Sequence, residues 1–302
     1  MPEIVVGFDD SPGAQDALAF AAAVASNAGA SVMLASAFPY DNVPSRGANY
    51  AYREYLRADC QAALDRAAAT LEGVPTSTEA IPDTSPSRAL HVLSEYISPA
   101  LVVVGSTRRG PVGRVVPGST GERLLHGSPC PVAIVPRGYA VAGPIRTVGV
   151  GYDGSEESEV ALTAACQVAV RFGASLRVIR IYDATRFGAP ALMTIPGEVS
   201  YHEDYEKQQR EGLDEAVAAL PAEVHAETVF ITGPPGPELA AQTEHVDLMV
   251  VGSRGYGPRA AVMLGGVTHT VIRKAHCPVI VLPRGSHGLE PLFSAAAETA
   301  TP

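Results

Sequence analysis

Lysine is almost missing from this 302-residue chain: Lys207 and Lys274 are the only two, so its basic charge is nearly all arginine. That scarcity removes most candidates for a phosphate-gripping or Schiff-base lysine, and the Gly-Lys-Ser/Thr ending of a P-loop occurs nowhere. Cysteine is sparse as well. Cys60, Cys130, Cys166 and Cys277 form no CxxC and no Cys/His cluster with zinc-ligand spacing, which favours buried reduced thiols over a metal or disulfide role. No apolar run approaches the roughly 20 residues that cross a bilayer. A strand-like run, EIVVGF (3–8), starts almost at the N-terminus and leaves no room for a secretory leader, so a cytoplasmic location is expected. Basic charge is also outweighed, with 22 Lys and Arg against 32 Asp and Glu, a net charge of −10. Non-specific attraction to nucleic acid or to an anionic membrane is therefore disfavoured. The eight histidines show no HExxH spacing, and no GxSxG elbow is present.

What is present is a well-buried composition, 46% hydrophobic and 18% charged, with a mean hydropathy of +0.12. The length suits two domains at about 150 residues each. Two copies of one unit are visible by position. Gly105 and Gly252, Gly118 and Gly265, and Pro131 and Pro278 each lie 147 residues apart, while Asp9 and Asp153 lie 144 apart. The chain is an internal duplication with a few residues gained in between.

Each copy alternates short apolar strands with helical stretches. In the first, 3–8, 31–38, 78–81, 100–106 and 131–136 read as strands, and helices follow Ser11-Pro12, cover 51–71 and follow Pro86. The second repeats the order with strands at 147–153, 176–182, 226–231, 247–253 and 278–283 and helices at 156–172 and 201–219. Strand–helix alternation requires right-handed crossovers and parallel strands, hence two tandem doubly wound five-stranded α/β sheets. The domains are placed at 1–138 and 146–284, joined by a linker around 138–146, with 285–302 expected to be a flexible tail.

The glycine-rich segments after the fourth strands, VVGSTRRGPVGRVVPGS and VVGSRGYGPRAAVMLGG, carry the functional signal. Ligands of an open parallel sheet bind beyond the carboxyl ends of its strands where the order reverses. A glycine loop that leaves such a strand and enters a helix presents free N–H groups and the positive end of the helix dipole, which suits phosphate. Glycine loops also serve as plain turns, but repetition in fixed register weighs against that reading alone.

These residues resemble the universal stress protein family across nearly all of both copies. Its ATP-binding members carry Gly, two residues, Gly, nine residues, then Gly followed by Ser or Thr. Gly252, Gly255 and Gly265 match that spacing, with Gly266 where the hydroxyl belongs; Gly105, Gly118 and Ser119 match in the first copy, with Arg108 replacing the second glycine. Gly110 would relieve the first loop as Gly257 shapes the second, and Thr120, Val267 and Thr268 continue the helix starts. Arg108 would clasp phosphate directly, and Thr268 is a candidate to supply the hydroxyl that Gly266 lacks. The resemblance implies a Rossmann-like fold of the adenine nucleotide alpha hydrolase-like kind, and ATP, with or without Mg2+, as the bound cofactor. It places Asp9 and Asp153 beside the adenosine, with Ala37 and Ile181 touching adenine through their backbones. An Asx turn is the alternative role of each aspartate.

Members of that family commonly dimerise through the fifth strand. Here PVAIVP and PVIVLP would pair within one chain as an intramolecular pseudo-dimer, leaving open a further homodimer of the whole chain and an unnamed protein partner. The long segments 39–55 and 183–205 read as lids or partner surfaces. Their tyrosines, Tyr50, Tyr52, Tyr55, Tyr201 and Tyr205, either pack across a nucleotide or staple each segment to its own helix. A phosphoryl-transfer enzyme needs a lysine, a metal-holding carboxylate and a group that orients the nucleophile. Because the motifs supply little of this, a nucleotide-dependent stress-response regulator is expected, with a nucleotide-free interaction module or a weak ATP hydrolase as the rivals.

Overall fold

The computed structural model describes residues 1–40, 50–106, 112–139, 143–187, 196–253 and 264–293. The first half contains β1 (Glu3–Gly7), α1 (Pro12–Ala28), β2 (Ser31–Phe38), α2 (Tyr50–Ala68), β3 (Thr76–Pro82), α3 (Pro86–Ile97), β4 (Leu101–Gly105), α4 (Ser119–Leu125) and β5 (Val132–Val135). The second contains β6 (Thr147–Gly151), α5 (Glu156–Phe172), β7 (Ser175–Tyr182), α6 (Pro196–Ala218), β8 (Ala226–Thr232), α7 (Pro235–Gln242), β9 (Leu248–Gly252), α8 (Gly266–Lys274), β10 (Val279–Leu282) and a last short helix, α9 (Glu290–Phe293).

The strands form one sheet in the order β3-β2-β1-β4-β5-β10-β9-β6-β7-β8. Within each half every pairing is parallel, and β1 and β6 are each flanked by the strand that follows them and the strand that returns last but one. The chain order thus reverses beside β1 and beside β6, which makes two topological switch points. The halves join where β10 runs antiparallel to β5, with Ile280 opposite Ala133. The expected pseudo-dimer is therefore built into one ten-stranded sheet. Its two sets of strands point in opposite directions, so the two switch points face opposite edges of the sheet.

Why these segments pair so is plain from their side chains. The four residues of β5 and of β10 are all buried, as befits strands covered on both faces. One core, built around α1 and α5, spans both halves and contains Phe20, Leu34, Leu162 and Leu176. The opposite core contains Leu90, Leu124, Leu239 and Ile272. The helix ends follow local chemistry. Ser11 caps α1 by accepting from the Ala14 N–H, Ser155 caps α5 by accepting from the Ser158 N–H, and Gly29 and Gly173 end the two helices in the left-handed region at φ 65° and 60°.

Three elements depart from the sequence reading. α6 begins at Pro196, so much of the expected 183–205 insertion is helix. α7 occupies a stretch too short for its periodicity to be read. The segment after Gly285 is not all tail: Leu289, Leu292 and Phe293 are buried in the first core, because α9 folds back onto α5, where Gly288 lies against Val160 and Ala164. Residues 294–302 lie outside the described residues.

Candidate functional site: a crevice at each switch point

Two residues past the end of each first strand stands an aspartate that organises its own turn. Asp9 Oδ1 accepts from the Ser11 N–H at 3.1 Å, and Asp153 Oδ1 accepts from the Ser155 N–H at 3.1 Å and from its hydroxyl at 2.5 Å. Both are Asx turns, the structural role foreseen as the alternative, and both carboxylates remain exposed at the strand end. The residue after each takes a left-handed conformation, Asp10 at φ 57° and Gly154 at φ 76°.

Sheet register places the other candidates on the same edge as these aspartates. β1 pairs Gly7 with Ala35 and Val6 with Val103, so Asp9, two residues past the end of β1, lies on the same carboxyl edge as Ala37 of β2 and Ser106 after β4. β6 pairs Gly151 with Ile179 and Val150 with Val250, so Asp153, two residues past the end of β6, lies on the same carboxyl edge as Ile181 of β7 and Ser253 after β9. Strand ends, aspartate and glycine-loop root thus form one row along the carboxyl edge of each half.

The root of each glycine loop lies against the first turn of the first helix of its half. A Cβ on Gly105 would lie 1.9 Å from the Gly13 carbonyl oxygen, and one on Gly13 would lie 2.4 Å from that of Ser106. Gly105 is thus required by the first turn of α1 itself, whatever else it contacts. In the second half Glu157 stands where Gly13 does, and a Cβ on Gly252 would meet its Cβ and carbonyl oxygen at 3.1 Å. The Ser106 hydroxyl, 5% exposed, donates to the Val135 carbonyl and accepts from the Val116 N–H, and Ser106 bridges to Pro117. These bonds close the base of the first loop and bring Gly118 back to the end of β4.

From there α4 starts at Ser119 with Gly118 as its cap, and α8 starts at Gly266 with Gly265 as its cap. Being glycines, the caps bring no side-chain acceptor, so the first N–H groups of each helix are left to backbone, water or ligand. Ser119 is exposed and Thr120 half-buried, while Gly266 is exposed, with nothing among the described residues within 4 Å of a would-be Cβ. Val267 is half-buried against the second core. Thr268 is 4% exposed, and its hydroxyl donates to the Gly252 carbonyl at 2.8 Å. It ties α8 to β9 and does not stand in for the hydroxyl missing at Gly266. Arg108, Gly110, Gly255 and Gly257 lie outside the described residues.

One residue near the second row escaped the sequence reading. Arg180 of β7 reaches the Asp153 turn, its Nη1 lying 3.6 Å from a would-be Cβ of Gly154. Burial holds its pKa below the ordinary arginine value, partly countered by Asp153. The signal was an arginine interrupting the apolar run LRVIRIY. In the first half Asp10 is served instead from α2, by Arg66 at 3.5 Å. Neighbouring aromatics act as staples: Tyr205 packs on Tyr182 with ring centroids 6.1 Å apart, and Tyr182 stacks on Phe230. Tyr52 and Tyr55 are exposed, and the side chains of Tyr50 and Tyr201 lie outside the described residues. Among the described residues no group of three or more His, Cys, Asp or Glu is placed to hold a metal ion, and no helix is long and apolar enough to cross a membrane.

Two doubly wound units, fused through their last strands and each with its own topological switch point, define a tandem α/β protein. The model of the universal stress protein family matches residues 1–136 and again 144–283, and the chain belongs to that family. A universal stress protein of Mycobacterium tuberculosis is 30% identical over 215 residues, covering 70% of this chain and 74% of the relative. One from Mycobacterium bovis is 26% identical over 298 residues, 92% of this chain and 94% of the relative. The crystal structure of a universal stress protein from Archaeoglobus fulgidus shares the fold, with a TM-score of 0.68 at 20% identity over 94% of this chain and 98% of that one.

Proposed function

We propose that this chain binds ATP at its two crevices and acts as a nucleotide-dependent stress-response regulator rather than as a catalyst. The observation that supports this most is the row along each carboxyl edge. Asp9, Ala37 and the root of the first loop follow the carboxyl edge of one half, and Asp153, Ile181 and the root of the second that of the other, with a glycine-capped helix start after each fourth strand. That arrangement offers main-chain amides and a helix dipole to a polyphosphate, and a carboxylate and strand backbone to an adenosine. The glycine at 266 brings no hydroxyl to hold the phosphates.

A regulator fits better than an enzyme because each aspartate already accepts from the N–H two residues further on and so is engaged in shaping its own turn, and neither glycine motif carries a lysine. Nucleotide can shift such a protein between forms only by preferring one of them. The test is to denature freshly purified protein, identify any released nucleotide by mass, then incubate the refilled protein with ATP and magnesium. Retained, unhydrolysed ATP supports the regulator; repeated turnover would make it an ATP hydrolase. Failure to bind even at millimolar ATP would leave a nucleotide-free interaction module.

A further inference from the structure

The two halves differ in charge at one matching corner. Asp10 and Gly154 are equivalent by position: each follows the aspartate of its turn, and each is left-handed, at φ 57° and 76°. Ser36 and Arg180 are equivalent as well, since β2 and β7 share length, register against their first strands and burial pattern. The first half therefore sets two successive carboxylates, Asp9 and Asp10, on the same carboxyl edge as a small hydroxyl. The second keeps one carboxylate, Asp153, and adds a guanidinium.

Arg180 is poorly matched by the protein around it. It is half-buried, and its Nη1 lies 3.6 Å from where a Cβ of Gly154 would be, the position that Asp10 occupies in the first half. Burial disfavours its charge, and Asp153 offsets only part of that penalty. Among the described residues no hydrogen bond or close ion pair holds the guanidinium. Arg177, earlier on the same strand, is by contrast paired with Glu227. A desolvated guanidinium without acceptors is unfavourable, and a phosphate, which matches its planar fork with two parallel bonds, relieves it. In the first half, Arg66 approaches Asp10 at 3.5 Å with both side chains more than half exposed, a pairing that solvent weakens.

We infer that the second crevice prefers an adenylate whose ribose carries a phosphate, and that the first takes the unmodified ribose. The inference rests on the ATP-binding reading above, which sets the adenosine beside Asp9 and Asp153. The chemistry is that of dinucleotide sites, where a carboxylate accepts from a ribose hydroxyl and an arginine accommodates a ribose phosphate. Arg180 reaches the Asp153 turn from β7, one residue before Ile181, and Gly154 puts no side chain in its way. Asp10 would repel the same phosphate in the first half.

The experiment is a calorimetric titration of the full chain with AMP, adenosine 2′,5′-bisphosphate and adenosine 3′,5′-bisphosphate, with ATP as the reference ligand. One equivalent of one bisphosphate is expected to bind about tenfold more tightly than AMP. Arg180→Ser, which copies the first half, should bring that ratio to near one. Gly154→Asp should do the same by setting a carboxylate against Arg180, in a left-handed conformation that Asp10 already adopts. ATP binding with neither bisphosphate preferred over AMP would overturn the inference and leave the functional reading standing. Two equivalents preferred, or a preference that both variants retain, would also overturn it. No binding of ATP or AMP would remove the functional reading and the inference together. Should Arg180→Ser fail to fold, Gly154→Asp decides.

Discussion

The backbones of Gly13 and Gly105 touch: a methyl group on Gly105 would sit 1.9 Å from the Gly13 carbonyl oxygen, nearer than any real carbon approaches. The first turn of α1 therefore rests directly on the end of β4. In the second half the same contact is looser, 3.1 Å from Gly252 to Glu157. Gly105→Ala should cost about 3 kcal/mol of stability, since rigid backbone must move, and Gly252→Ala about 1 kcal/mol. Urea unfolding of the two variants checks the order; equal losses would contradict this packing.

Thr268 holds α8 to β9 through a buried hydroxyl. Thr268→Val keeps the shape but leaves the Gly252 carbonyl short of a donor, at a cost of about 1–2 kcal/mol. The affinity of the second crevice should fall more than that of the first, read by nucleotide titration alongside thermal unfolding. An unchanged melting temperature would show that the hydroxyl does not hold the helix.

Gly266 occupies the start of α8, and among the described residues nothing lies within 4 Å of where its Cβ would be. Gly266→Ser should fold without strain and supply a hydroxyl toward a bound phosphate. One hydrogen bond to a charged group adds at least 1.4 kcal/mol, about tenfold in affinity at the second crevice. A titration showing no gain would mean that the phosphate does not lie at this helix start.

Two tyrosines away from the exposed surface resist ionisation. Burial raises Tyr139 from its ordinary value of 10 to about 12, helped by Asp247 and Cys277. Tyr152 also rises to about 12, first by burial and then through its hydroxyl donated to Glu159. Because these folded values exceed the unfolded one, the stability they contribute is complete below pH 10 and drains away as pH climbs toward about 12. Absorbance at 295 nm should show part of the signal of the 11 tyrosines delayed to that range. Tyr139→Phe and Tyr152→Phe should each remove a share of the delayed signal.

Much of this architecture is legible in the sequence because its elements carry local signals. Ser11-Pro12 and Gly29 mark the ends of α1, and buried parallel strands such as PVAIVP read as unbroken apolar runs. The duplication is legible from glycine and proline spacing alone. Other features depend on contacts between distant segments. Gly105 looked like a loop glycine, yet its tightest constraint is Gly13, 92 positions earlier in the chain. Thr268 looked like a substitute hydroxyl but is spent on Gly252. Leu289, Leu292 and Phe293 form no periodic stretch long enough to read, and only α5 gives them a surface to cover. Arg180 became visible as a neighbour of Asp153 once β6 and β7 were paired.

The most direct measurement is a crystal structure of the full chain with ATP. The account predicts polyphosphate density against the main-chain amides at Ser119 and Thr120 in one half and at Gly266 and Val267 in the other, with adenosine beside Asp9 and Ala37 and beside Asp153 and Ile181. Both crevices without nucleotide at saturating ATP, or phosphates held away from these helix starts, would contradict it.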